Sequence, residues 1–169
     1  DSVYTSSGYS TNFDEDDIRV NYSSLARPQT IYKYDYDKNE LKILKVKEIC
    51  GEFSSDEYQT ERIWTQSDDV KVPVSLLYKK SLMKGDGSNP VYLYGYGSYG
   101  ISIPPSFSSN ILSLVNRGFI FAIAHIRGGD DLGYQWYEDA KFLNKKRTFN
   151  DFLAVSQDLI EKKYTQQGQ

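Results

Sequence analysis

A single cysteine, Cys50, leaves the chain unable to form an intrachain disulfide. That suits a reducing, cytoplasmic setting, and the plain expectation for such a residue is a lone buried thiol. Histidine is as scarce: His125 is the only one, so any triad built within this chain has to use it. Long apolar runs are missing. The longest, Phe119 to Ala124, falls far short of the roughly 20 residues that a membrane-spanning helix needs. Neither charge dominates, with 20 basic and 23 acidic residues and a formal net charge of -3, which argues against a nucleic-acid-binding face. The opening residues, DSVYTSSGYS, have neither the basic nor the apolar stretch of a secretory leader; they lack an initiator Met, so the natural start is expected upstream. No solenoid repeat or low-complexity tract is present.

What the chain has in quantity is aromatic side chains, 15 tyrosines and 8 phenylalanines. Such a load suits half-buried pleated strands, so much β structure is expected in the first half. IRVNYSS, QTIYKYDY and ELKILKV alternate with polar turns between residues 18 and 46. Asp37 to Glu40 reads as the turn of a hairpin with arms Tyr32 to Tyr36 and Leu41 to Val46. A meander of this size is about one propeller blade. The acidic run Asp14 to Asp17 lacks the ligand spacing of a cation loop and reads as a solvated loop. Two further strand signals, YQTERIWT and VKVPVSLLYKK, flank Ser67-Asp68-Asp69, and Val72, Val74 and Leu76 share one face by period two. Lys79 to Asn89, rich in Lys, Gly, Ser and Asp, reads as a surface loop.

From Pro90 the pattern changes to alternating strand and helix. Val91 to Tyr94 is a short apolar run, and Phe119 to Ala124 is apolar on both faces, as a buried parallel strand requires. Between them Ile111, Leu112, Leu114 and Val115 recur at helical spacing, with Gly118 as a stop. The result is a β-α-β unit. A last helix is expected from Thr148, capped by it and answered by Asp151, with Phe149, Phe152, Leu153, Ser156, Leu159 and Ile160 as its packing stripe. Lys162 and Lys163 close it where the dipole favours cations.

Gly95, Gly97 and Gly100 spell G-x-G-x-x-G directly after a strand signal. A dinucleotide fold needs a helix to start at the third glycine, so that its N-terminus holds pyrophosphate. Pro104-Pro105 is incompatible with that helix. No acidic ribose ligand stands about 20 residues on. The expectation is a chain with no cofactor and no metal. A glycine turn at the carboxyl end of a parallel strand is nevertheless where open α/β sheets hold ligands. Tyr96 and Tyr99 project from it. A phenol there can donate to a developing oxyanion, and packing is the alternative use.

Ser98 fails as an elbow nucleophile, because G-x-S-x-G needs glycine at position 96 and a helix directly after the turn. No other serine matches. His125 ends a buried strand and precedes any nucleophile, the wrong order for a triad on this fold, so it reads as a filler that makes one hydrogen bond to a nearby loop. Arg127, in the next loop of the same rim, can bind a substrate carboxylate or brace that loop through Asp130, Asp131 or Glu138.

The strings YGYGSYG (94–100), AIAHIRGG (122–129), WYEDAKFL (136–143) and TFNDFL (148–153), with YSS (22–24) and VPVSLLYKK (72–80), resemble the oligopeptidase B branch of the prolyl oligopeptidase family of serine peptidases. The resemblance implies an α/β fold: residues 1–46 as part of the last β-propeller blade, 47–57 as linker, and 58–169 as the first portion of an α/β-hydrolase peptidase domain. It implies that Tyr96 gives its hydroxyl to the oxyanion hole and that Tyr99 helps wall the pocket for the substrate residue at the scissile bond. The nucleophile, acid and histidine would then fall beyond Gln169.

Its intact form would cleave short peptides after basic residues in the cytoplasm, and this chain alone would be inactive. Departures from the family strings are Asp130, Asp131, Ala140 and Arg147, with Asp69 where a turn glycine of positive φ is usual. Pro104 and Ser106 stand where many relatives of that branch carry carboxylates suited to basic substrates. The alternative is a non-catalytic product, either a remnant or a folding partner for a separately encoded C-terminal piece.

Overall fold

The computed structural model describes residues 1–10 and 17–168. The acidic-loop expectation at Asp14 to Asp16 lies outside the described residues, while Asp17 already opens a strand and pairs with Lys33.

An antiparallel meander comes first: β1 (Tyr4–Tyr9), β2 (Asp17–Ser24), β3 (Thr30–Asp35) and β4 (Glu40–Val46), in that spatial order. The three expected strands are β2 to β4. The first was not legible, since its residues carry no apolar alternation; it forms by pairing with β2 from Tyr4↔Ser24 to Tyr9↔Arg19. Tyrosines then pack across the ladder, Tyr4 stacked on Tyr22 at 5.4 Å and Tyr22 edge-on to Tyr32 at 6.4 Å. β4 is an edge strand exposed along its whole length, with Leu41, Ile43, Leu44 and Val46 bare. Cys50 follows it and is exposed, contrary to the buried thiol expected; the polar, glycine-containing stretch around it gives it nothing to pack under.

The second sheet has the order β5-β6-β8-β7, built from β5 (Tyr58–Ser67), β6 (Val70–Lys79), β7 (Val91–Tyr94) and β8 (Ile120–Ala124). β7 and β8 are parallel and are joined by α1 (Ser109–Val115), the expected β-α-β unit. The β5–β6 turn takes its positive φ at Asp68, not at Asp69.

Every residue of β8 is buried because both of its faces are covered. Ile120, Ala122 and Ala124 join Val72, Val74 and Leu76 in a core closed by Val155 and Leu159 of α3 (Lys146–Glu161). Phe121 and Ile123 point the other way, onto Leu112 and Val115 of α1, Leu77, and Leu25 and Ala26 from the loop after β2. Truncating a fully buried leucine such as Leu76 to alanine costs about 2–5 kcal/mol in such settings. Leu25 and Ala26 tie the first sheet to the second, helped by Phe107 N–H donating to Ser23 Oγ at 3.1 Å and Ser2 Oγ donating to the Thr60 carbonyl at 2.8 Å.

α3 departs from its expected form. It starts at Lys146, no side chain caps it, and it buries Thr148, Asp151, Val155 and Leu159. Phe149, Leu153 and Ile160, expected in the packing stripe, are exposed. Two polar residues take the inward positions because each has a buried partner waiting, described next. A short helix α2 (Tyr134–Glu138) was not foreseen; Trp136 anchors it, donating its indole N–H to the His125 carbonyl at 3.0 Å.

Candidate oxyanion site at the glycine turn

β7 delivers the chain at Tyr94 into the turn Gly95 to Gly100, beside the loop Ile126 to Gly129 that leaves β8. The two loops are in backbone contact. A β-carbon on Gly128, whose φ is +100°, would sit 2.1 Å from the carbonyl oxygen of Gly97. One on Gly97, at φ +62°, would meet Thr148 Cγ2 at 2.5 Å. Only glycine fits both places.

Gly100 N–H donates to the Gly128 carbonyl at 2.9 Å, and Thr148 Oγ1 donates to the Arg127 carbonyl at 2.8 Å. Lys145, at the mouth of α3, donates to the Gly97 carbonyl and, at 2.9 Å, to Ser98 Oγ. The expected capping hydroxyl of Thr148 is thus spent on this junction instead.

On so fixed a turn sit the two tyrosines. Tyr96 is 42% exposed, and no described residue hydrogen-bonds its hydroxyl. Tyr99 is 81% exposed and takes φ +58°, the left-handed region that a non-glycine residue enters at a cost of about 1–3 kcal/mol. Tyr99, Ser98, Gly128, Tyr137, Phe142 and Lys145 line a cavity of about 210 Å³. Pro104 lines a different cavity with Arg62, Trp64, His125 and Asp131, and Ser106 a third with Phe107.

Arg127 shares the loop but not the rim. Its side chain is 1% exposed and turned inward onto Asp151, itself fully buried. Nε donates to Oδ2 at 2.9 Å, Nη2 to Oδ1 at 2.7 Å, and the Arg127 backbone N–H to Oδ2 at 3.0 Å. Ser67 Oγ adds a fourth bond to Asp151 at 2.6 Å, and Nη1 reaches Asp69 at 3.3 Å. The hydrogen bonds that Arg127 donates to Asp151, ahead of the opposing burial, raise the guanidinium's already high pKa. Each guanidinium nitrogen of Arg127 faces a carboxylate of this chain and the side chain is 1% exposed, so it is not presented to a substrate carboxylate. The residue braces, and its partners are Asp151, Asp69 and Asp68 rather than Asp130, Asp131 or Glu138. Asp151 came from α3, where the sequence pattern offered a capping role that concealed it.

His125 makes two side-chain hydrogen bonds where one was expected. Nε2 meets Ser75 Oγ at 2.7 Å and Nδ1 meets Asp131 Oδ1 at 2.7 Å. The order Ser–His–Asp matches a hydrolytic triad, but Ser75 is 0% exposed inside β6, where no carbonyl can approach it. The trio ties β6, β8 and the Asp130–Gly133 turn together. Nothing local in the sequence signals it, because the strand pairing that brings Ser75 opposite Ile123 is a long-range fact.

Among the described residues no cluster of His, Cys, Asp and Glu is arranged to hold a metal ion, and no helix is long and apolar enough to cross a membrane.

The chain's relatives fit this geometry. Sequence models of the prolyl oligopeptidase family match residues 105–169, and of its N-terminal β-propeller domain residues 1–47. Dipeptidyl aminopeptidase BI of Pseudoxanthomonas mexicana is 40% identical over 87% of this chain and 20% of its own length. Protease 2 of Moraxella lacunata is 36% identical over 91% of this chain and 22% of its own. The structure of oligopeptidase B from Trypanosoma brucei with covalently bound antipain superposes with a TM-score of 0.88 and 40% identity, covering 98% of this chain and 24% of that one. The chain therefore spans about a fifth of the length of the curated relatives it matches. With a propeller-end meander followed by the start of an α/β-hydrolase sheet, and relatives at both levels agreeing, the chain belongs to the prolyl oligopeptidase family of serine peptidases.

Proposed function

We propose that this chain supplies the oxyanion side of an oligopeptidase B-like active site that hydrolyses short peptides after basic residues. The observation that carries the proposal is Tyr96: a phenol without a hydrogen-bond partner among the described residues, held out at a strand end on a turn locked by backbone contact with Gly128. An oxyanion donor has to be fixed in place and unspent before substrate arrives. Tyr99 walls the pocket for the residue at the scissile bond. Residues 1–46 are read as blade, 47–57 as linker, and 58–169 as peptidase domain. The Ser, acid and His of the triad come from polypeptide outside this sequence, so the chain by itself does not hydrolyse peptide amides.

Fluorogenic Arg- and Lys-amide peptides test this. The chain alone gives no turnover sensitive to serine-directed inhibitors, whereas a polypeptide that continues through a G-x-S-x-G elbow does. In the latter, Tyr96→Phe lowers kcat by roughly 100- to 1000-fold, the cost of one oxyanion donor. Undiminished kcat in that variant overturns the assignment.

A second reading keeps the chain non-catalytic, as a partner that docks with a separately encoded C-terminal piece. The bare β7 edge and the exposed Phe149 and Leu153 on α3 favour it. Co-purification with such a piece supports docking, and its failure leaves a remnant.

A further inference from the structure

Ser98 fails the elbow pattern, yet the fold brings it a base that the pattern does not contemplate. Lys145, 47 residues on, places Nζ 2.9 Å from Ser98 Oγ. Both residues line the 210 Å³ cavity whose walls include the rings of Tyr99, Tyr137 and Phe142. We propose that Ser98 and Lys145 form a nucleophile–base pair that accepts an acyl group from an activated aromatic ester.

Three observations support the pair. First, Lys145 has no carboxylate within ion-pair distance among the described residues, whereas Lys141 on the same wall is neutralised by Glu138. Burial of the unpaired amine lowers its pKa, which favours the neutral form that a general base requires. Second, the Gly97 carbonyl accepts a hydrogen from Nζ. In the neutral amine that bond orients the nitrogen so that its lone pair can take the Ser98 hydroxyl proton, the arrangement of serine–lysine hydrolases. Third, the serine stands between two left-handed residues, Gly97 and Tyr99, on a turn that cannot relax while Gly128 packs beneath it. A nucleophile fixed on strained backbone keeps its geometry during attack.

The step balances without a further reactant. Ser98 Oγ bonds to the ester carbonyl carbon as its proton passes to Lys145 Nζ. The tetrahedral adduct collapses, the bond to the aryl oxygen breaks, and the leaving phenoxide takes the proton back from the ammonium. Acyl-Ser98 and a phenol remain. The aromatic walls select aryl esters, and the small cavity selects short acyl groups. This activity is independent of Tyr96 and of any triad outside the chain.

The test uses the chain as it stands, with p-nitrophenyl acetate and mass-spectrometric mapping of the adduct. The expected result is one acetyl group per chain on Ser98, released p-nitrophenol in equal amount, and an acylation rate that rises with pH to a midpoint below the ordinary lysine value. Lys145→Met slows acylation of Ser98 at neutral pH at least about 100-fold, the contribution of a positioned base. Acetyl groups scattered over the surface lysines, on Lys145 alone, or absent overturn the proposal; wild-type mapping decides this whether or not the variant folds.

Discussion

The carboxylate of Asp151 on α3 and the guanidinium of Arg127 after β8 meet at 2.7 Å in the interior, their side chains 0% and 1% accessible. Their pairing fixes α3 to the loop on which the glycine turn rests. Asp151→Ala removes the two-pronged partner of a buried guanidinium and leaves it only Asp69 and Asp68 at its outer end, at a cost of about 3–5 kcal/mol. Denaturant unfolding should show the midpoint falling with little change in slope. Ser67→Ala, which removes one neutral donor from the same carboxylate, costs about 1 kcal/mol. Equal losses from both variants contradict the pairing.

Gly128→Ala is the sharpest probe of the turn. A β-carbon there overlaps the Gly97 carbonyl and sits at a φ that L-residues avoid. Backbone strain contributes about 1–3 kcal/mol, and overpacking a similar amount, about 1–3 kcal/mol. Gly118→Ala is the control, because Gly118 has a positive φ of +92° and open space around it. Thermal melts should place the Gly128 variant clearly below the Gly118 variant; coincidence of the two shows that the loops do not press together.

The sequence made local features legible and hid those made by distant contacts. Strands β2 to β6 and the β7-α1-β8 unit follow from alternation and apolar runs, and so does the projection of Tyr96 from a glycine turn after a strand, while its role as an oxyanion donor comes from the family resemblance alone. β1 escaped because its polar residues form a strand only by pairing with β2. The α3 stripe was misassigned because apolar periodicity outvoted Thr148 and Asp151, whose inward positions depend on Arg127, more than 20 residues earlier. The same is true of Ser75 with His125 and of Ser98 with Lys145, both pairs joined only by folding.

Alkaline conditions should weaken the fold through Glu61. Its carboxylate accepts hydrogen bonds from Tyr78 on β6 and, at 2.7 Å, from Tyr164 after α3. Burial first, then that hydrogen bond, raises both phenols well above their ordinary 10.0. A raised folded-state pKa means the folded chain holds the proton more tightly, so the stabilisation is complete below the ordinary value and is lost as pH climbs towards the folded one. Unfolding free energy should therefore hold up to about pH 10 and decline as the pH rises above it. The double variant Tyr78→Phe, Tyr164→Phe should flatten that decline; an unchanged slope removes these tyrosines as its source.

The outer face of α3 predicts how the isolated chain behaves in solution. Phe149 and Leu153, four residues apart and therefore neighbours on the helix, are 61% and 66% exposed, and Phe142 and Leu143 just before α3 are 83% and 100% exposed. Among the described residues no strand pairs with the outer edge of β7, which has the exposed Tyr92 and Tyr94 beside it. Bare apolar side chains near an open strand edge drive self-association. Light scattering should find the chain oligomeric at micromolar concentration, and Phe149→Glu with Leu153→Glu should shift it towards monomer. Those substitutions touch no core position, since α3 packs through Val155 and Leu159, so the melting temperature should change little. A wild-type chain that sediments as a monomer at every concentration tested contradicts the prediction, and one that stays oligomeric in the double variant moves the association surface to β4 or the β7 edge.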